Sequence, residues 1–147
     1  MKTLHDCGEN WQEFLECPND DWIFLKGACH AFALELFDKF KNRGHLPKFY
    51  YVASKDNDEI ARHVVVQLLD CYWDVTGRRS SVEIANAWAD GDEARILPVE
   101  NLGWISQPAR HTPKTSYLGL MVDLEFMDCA RPRARTFISE NPQLFKL

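Results

Sequence analysis

Cys29, His63 and Asp74, in that order along the chain, are the residues whose types and spacing are able to do chemistry. A cysteine thiol becomes a strong nucleophile once it ionises, and a histidine within reach can take its proton and later return it. A carboxylate bonded to the far side of the imidazole orients the ring and supports its positive charge. Such a set performs acyl transfer. The sulfur attacks an amide carbon, an amine leaves, and water or a second amine resolves the thioester. Gly27 and Ala28 precede the thiol, and their small side chains leave an approach to the sulfur.

Each of the three lies in an element that the local pattern predicts. From Cys29 onward, Phe32, Ala33, Leu36, Phe37 and Phe40 recur at helical spacing, while Glu35, Asp38, Lys39, Lys41 and Asn42 take the other face. Glu35 and Lys39 form a favourable helical pair. Gly44 and Pro47 end the helix. Cys29 thus opens a helix, where the partial positive charge and unpaired N–H groups favour thiolate and offer a donor to an oxyanion. His63–Leu68 and Cys71–Val75 read as strands, with Leu69-Asp70 as a tight antiparallel turn. Alternation puts His63, Val65 and Gln67 on one face. With the turn at Leu69-Asp70, Asp74 falls opposite or diagonal to His63, within reach of an imidazole–carboxylate hydrogen bond.

The remaining chain supplies further elements. Asn10–Glu16 predicts a short helix with Trp11, Phe14 and Leu15 on one face, and Pro18-Asn19-Asp20-Asp21 breaks it. Phe49–Val52 is a strand, Ser54–Glu59 a polar turn, and Thr76–Arg79 ends the hairpin. Ser80 and Glu83 form a capping box for a helix to about Ala89. Arg95–Val99 reads as a strand and Asn101–Thr115 as irregular. Leu118–Phe126 fits strand and helix equally. A last helix covers Thr136–Glu140, with continuation after Pro142 as an option. No repeat or boundary divides the chain, so residues 1–147 are expected to form one α+β domain.

Three segments taken together carry a resemblance. Gly27-Ala28-Cys29-His30-Ala31-Phe32-Ala33-Leu34, then Arg62-His63-Val64-Val65-Val66, then Tyr72-Trp73-Asp74-Val75-Thr76-Gly77 resemble the papain-like and transglutaminase-like cysteine enzymes, especially small bacterial and phage papain-fold proteins. The resemblance runs from Gly27 to Gly77. It implies a nucleophile helix packed on an antiparallel sheet, with Cys29 as nucleophile, His63 as general base and acid, and Asp74 as orienter. It implies a protein or peptide substrate and no cofactor; a metal site from Cys29, His30 and His63 is not expected, because their spacing fits no usual ligand pattern. Small size suggests a narrow substrate such as one host or partner protein. The same fold also admits a binding module that engages or blocks a partner with the Cys29 set idle.

Each residue has a plainer role beside the chemical one. Cys29 suits a buried helix position, His63 a strand edge, and Asp74 a turn before Thr76-Gly77. His30 is expected to pack on another side of the helix. Cys71 is expected in the core and Asp70 in the turn. Trp22, Trp73, Trp88 and Trp104 are expected in the core, with the lining of a substrate groove as the alternative.

Composition bounds these readings. In 147 residues, 46% are hydrophobic, 27% charged and 12% aromatic, which is the make-up of a globular domain with a real core and argues against disorder. The net charge of −5 argues against bulk nucleic-acid binding, which needs a basic face. Arg131, Arg133 and Arg135 around Pro132 are a local exception, read as a solvated loop or helix start, with a basic-patch binder as the alternative. Five cysteines without a Cys-x-x-Cys pair argue against a secreted disulfide framework and a zinc ribbon, and predict free thiols in a reducing compartment. The first residues lack the apolar run of a signal peptide, and no stretch of about 18 apolar residues occurs. The expectation is a cytoplasmic protein without a membrane span.

Overall fold

Leu69 and Asp70 turn the chain back with φ of 57° and 58°, the paired left-handed geometry whose twist matches a two-residue hairpin. This turn joins β2 (Asn57–Leu68) to β3 (Cys71–Asp74), and Leu68 pairs with Cys71, Gln67 with Tyr72 and Val66 with Trp73. The computed structural model describes residues 11–54, 57–89, 94–100 and 124–147. Within them a five-stranded antiparallel sheet has the order β4-β3-β2-β1-β5, with β1 at Lys48–Ser54, β4 at Gly77–Arg79 and β5 at Ile96–Pro98.

The Thr76–Arg79 segment differs from its expected role. It does not end the sheet but returns as β4, pairing Asp74 with Gly77. Gly77 makes the second turn possible, since its φ of 96° is costly for any residue with a Cβ. Strand β2 also starts earlier than expected, at Asn57, inside the stretch read as a polar turn.

Helices α1 (Trp11–Leu15) and α2 (Asp20–Lys26) flank the break at Pro18. The second was not anticipated. Asn19 is its N-cap, accepting from the Trp22 N–H at 2.9 Å, so the residues read only as a breaker also begin a helix. α3 (Cys29–Asn42) matches its expected span. α4 (Ser81–Ala87) begins at the expected capping box, with both reciprocal bonds at 3.1 Å. α5 (Leu124–Glu140) runs 17 residues through Pro132 and starts well before Thr136. Proline forfeits one backbone bond, but buried Phe126, Met127, Ala130, Ala134 and Ile138 dock the whole helix. The chain leaves helical geometry after Glu140, so nothing continues past Pro142. The irregular stretch expected over Asn101–Thr115, Trp104 within it, and the first part of Leu118–Phe126 lie outside the described residues.

The sheet separates two apolar layers. Phe49, Tyr51, Val64, Val66, Leu68 and Trp73 pack with α3 and α5. Val52, Val65 and Ile84 form the second layer with Tyr50, Tyr72 and Trp88, the alternate residues of the same strands.

Glu35 departs from its expected solvent face. It is only 7% exposed and accepts from Arg131 Nε at 2.6 Å and Arg135 Nε at 2.8 Å. Arg133 donates to Asp20 at 2.5 Å and to the Leu15 and Cys17 carbonyls at 2.8 Å each. The arginine cluster is therefore neither a solvated loop nor a free basic patch. It clamps α5 to α3 and to the α1–α2 junction. Among the described residues, no helix is long and apolar enough to cross a membrane.

Candidate active site

Cys29 is the first residue of α3, and Ala28 before it gives no side-chain cap. The Ala28 carbonyl accepts from the Ala31 and Phe32 N–H groups, which winds the helix start without a polar side chain. The positive end of the helix is thus presented at the thiol. Cys29 is 3% exposed. Burial alone pushes its thiol up, but hydrogen bonding and charge from His30 and His63 outweigh this and lower it from 9.0 to about 6.

His63 sits on β2 opposite Val52 of β1 and is fully buried. Its Nε2 lies 2.8 Å from Asp74 Oδ2. Extending the β2–β3 register places Asp74 opposite Val65, so His63 is its diagonal neighbour, one of the two expected arrangements. Burial pushes the imidazole down, while Asp74 and Cys29 together raise it from 6.5 to about 9. Nδ1 is buried without a partner at full hydrogen-bond geometry. Besides Asp74, the group that raises the ring is Cys29.

Asp74 combines its two expected roles. Oδ2 faces His63, while Oδ1 accepts from the Thr76 N–H at 2.8 Å and the Thr76 hydroxyl at 2.5 Å. One oxygen builds the β3–β4 turn and the other holds the imidazole. Burial pushes its carboxyl up, but His63 and Thr76 prevail and hold it below the ordinary carboxylate range. Arg79 Nε donates to Thr76 Oγ1 at 2.7 Å, so a polar chain runs from Arg79 through Thr76 and Asp74 to His63.

Three neighbours of this set were not read from the sequence as part of it. Thr76 and Arg79 support Asp74 from the turn. His30 does pack, being buried and stacked on Phe126 with ring centres 5.8 Å apart, yet it also acts on the Cys29 thiol. Adjacent helical residues diverge by about 100°, so no spacing rule signals that contact. Of the tryptophans, Trp73 is core and donates to the Leu68 carbonyl at 3.1 Å, and Trp22 packs on Phe14. Trp88, at the C-cap of α4, lies on His63 with ring centres 4.6 Å apart and planes at 20°. Cys71 is not core. It is half-buried and accepts from Arg78 Nε at 3.1 Å. Among the described residues, no group of three His, Cys, Asp or Glu side chains is placed to hold a metal ion.

The structure thus brings Cys29, His63 and Asp74 together. Between pH about 6 and about 9 the favoured state is thiolate beside imidazolium. No protein-family model, curated protein or solved structure matches the chain.

Proposed function

We propose that this protein is a cysteine-dependent acyl-transfer enzyme of the papain-like or transglutaminase-like kind, acting on an amide in a protein or peptide. The observation that carries the reading is the buried 2.8 Å bond between His63 and Asp74 beside a thiol at an uncapped helix start. The Cys29 thiolate adds to the amide carbon, forming a C–S bond. The His63 imidazolium gives its proton to the departing nitrogen as the C–N bond breaks, leaving a thioester and a neutral imidazole. Water, or an amine, then attacks the thioester while His63 takes its proton, and the acyl–sulfur bond breaks to restore the thiolate. Asp74 stays ionised throughout and holds Nε2. The start of α3 supplies N–H groups toward the developing oxyanion.

Limiting iodoacetamide near pH 6, followed by mapping of the label, tests this. Cys29 is expected to react well ahead of Cys7, Cys17, Cys71 and Cys129, and His63→Ala is expected to abolish the lead. Slow, uniform labelling of all five would instead support the binding-module reading.

A further inference from the structure

Arg79 closes β4, the edge strand that returns from the turn after Asp74. Its Nε donates to the Thr76 hydroxyl oxygen at 2.7 Å, and that hydroxyl donates to Asp74 Oδ1 at 2.5 Å. Asp74 Oδ2 in turn meets His63 Nε2 at 2.8 Å. An arginine side chain has hydrogens to give and no acceptor, whereas a threonine hydroxyl has a single hydrogen and rotates to suit its neighbours. With Arg79 on its lone pair, the Thr76 hydrogen goes to Asp74. Every hydrogen along the chain then points toward the carboxylate, and the one between Asp74 and His63 sits on Nε2.

The turn does not need Arg79 for its shape. The Thr76 N–H also bonds Asp74 Oδ1 at 2.8 Å, and Asp74 pairs with Gly77. Leu144 closes on that glycine so tightly that an added Cβ would come within 3.0 Å of the Leu144 carbonyl oxygen. The arginines that fasten helices end on carboxylates, Arg131 and Arg135 on Glu35 and Arg133 on Asp20. Arg79 ends instead on a hydroxyl whose other bond is to the carboxylate that holds the imidazole. Arg79 and Thr76 are half-buried and Asp74 is 3% exposed, so the chain runs from the surface inward, where linked hydrogen bonds polarise one another.

We infer that Arg79 is a positioning residue for acyl transfer, acting through Thr76: it fixes the direction of the hydroxyl hydrogen so that Asp74 only accepts, which keeps a hydrogen on His63 Nε2 and leaves Nδ1 to exchange a proton with Cys29 and the substrate. This rests on the reading of Cys29 as nucleophile and His63 as its base. Without the lock the hydroxyl can turn away from Asp74, the carboxylate loses a donor, and the neutral ring gains access to the wrong tautomer.

A double-mutant cycle on the full chain tests the lock. It is read by the rate of Cys29 modification by iodoacetamide across pH, and by nitrogen NMR of the His63 ring once neutral. Arg79→Gln offers an amide that both donates and accepts, so the Thr76 hydroxyl regains its choice. It is expected to slow Cys29 about threefold, to move the thiolate midpoint upward and to shift hydrogen on the neutral ring from Nε2 toward Nδ1. Arg79→Lys, a donor only, is expected to restore all three. In a Thr76→Val background, Arg79→Gln is expected to change nothing further. The other charged groups around the set are Cys29 and His30 of α3, Lys26 and Arg62 beyond Trp88, and Glu83 of α4, whose carboxyl is lowered by Ser80 first and also by Arg79. Glu83→Gln is therefore the control and should leave the profile in place. Equal losses with and without Thr76 overturn the relay, since Arg79 then acts on its own. A lower urea midpoint with profile and ring spectrum unchanged also overturns it, since Arg79 is then only a brace. A parent in which Cys29 reacts no faster than the other cysteines overturns the acyl-transfer reading, while the ring spectrum still decides the relay.

Discussion

His63 and Asp74 bond across a diagonal of the β2–β3 hairpin. Their side chains meet at 2.8 Å although the residues are not opposite one another in the register. That makes the site a property of the turn, because slippage by one residue would send Asp74 to the other face of the sheet. Leu69 and Asp70 hold the register from positive φ, which neither residue type favours as Asn and Gly do. Replacing them together, Leu69→Asn with Asp70→Gly, is expected to stabilise the protein by about 1 kcal/mol, read as a higher urea midpoint. Cys29 labelling should stay as in the parent. One glycine inserted after Asp70 should leave the chain folded and remove the early labelling of Cys29.

Asp74→Asn separates the roles of the two carboxylate oxygens. The amide can still accept from Thr76, but it brings no negative charge to the imidazole. Burial then acts on His63 with less opposition, so its protonation midpoint should fall well below the present value of about 9, as followed by NMR of the ring. On the proposed acyl-transfer reading, turnover should fall by up to about 10⁴-fold, as for loss of an orienting carboxylate. Thr76→Val removes one donor to Oδ1 and is expected to cost about tenfold or less.

The thiolate–imidazolium pair produces opposite pH slopes that cancel in stability. For Cys29, lowered from 9.0 to about 6, the contribution is complete above 9.0 and is lost as pH falls toward 6. For His63, raised from 6.5 to about 9, it is complete below 6.5 and is lost as pH rises toward 9. In between, the folded chain carries one proton on the imidazole and the unfolded chain one on the sulfur, so the net proton difference is near zero. The stability difference between the parent and a Cys29→Ala, His63→Gln double variant should therefore be the same at pH 7 and pH 8.5, to within about 0.5 kcal/mol. Ultraviolet thiolate absorption should nevertheless titrate near pH 6, and its appearance only near pH 9 would refute the pair.

Glu35 gives the largest expected stability loss away from the site. Its buried carboxylate is shared by Arg131 and Arg135. Glu35→Ala removes the shared acceptor, leaving Arg131 with Asp38 alone and Arg135 without its carboxylate. A loss of about 2–4 kcal/mol is expected in urea unfolding, toward the lower part of the range for broken buried pairs because the arginines keep access to water. Arg135 is 66% exposed, so Arg135→Ala should cost about 1 kcal/mol at most.

What the sequence disclosed divides along physical lines. Helical periodicity from Phe32 to Phe40, the β-rich runs around His63 and Trp73, and the capping box at Ser80 are local signals, and they located α3, the hairpin and α4. The α+β class and the His63–Asp74 meeting followed from them. Asn19 was read as a breaker because cap and turn residues are the same types. Pro132 hid α5 because its cost is local, whereas the packing of Phe126, Ala130 and Ile138 that offsets it is tertiary. The same long-range docking drew Glu35 inward toward arginines nearly a hundred residues away. The action of His30 on Cys29, and the support of Asp74 by Thr76 and Arg79, depend on side-chain directions that spacing does not encode.

The parallel stacking of Trp88 on His63 also gives the molecule an optical gauge. With the rings in contact, emission from Trp88 is expected to be weaker while His63 holds its proton, read as the difference between the parent and a Trp88→Phe variant because the chain has five tryptophans. Proton occupancy at the heart of the site can therefore be followed in the unlabelled chain, and any molecule that lifts the indole from the imidazole announces itself as light.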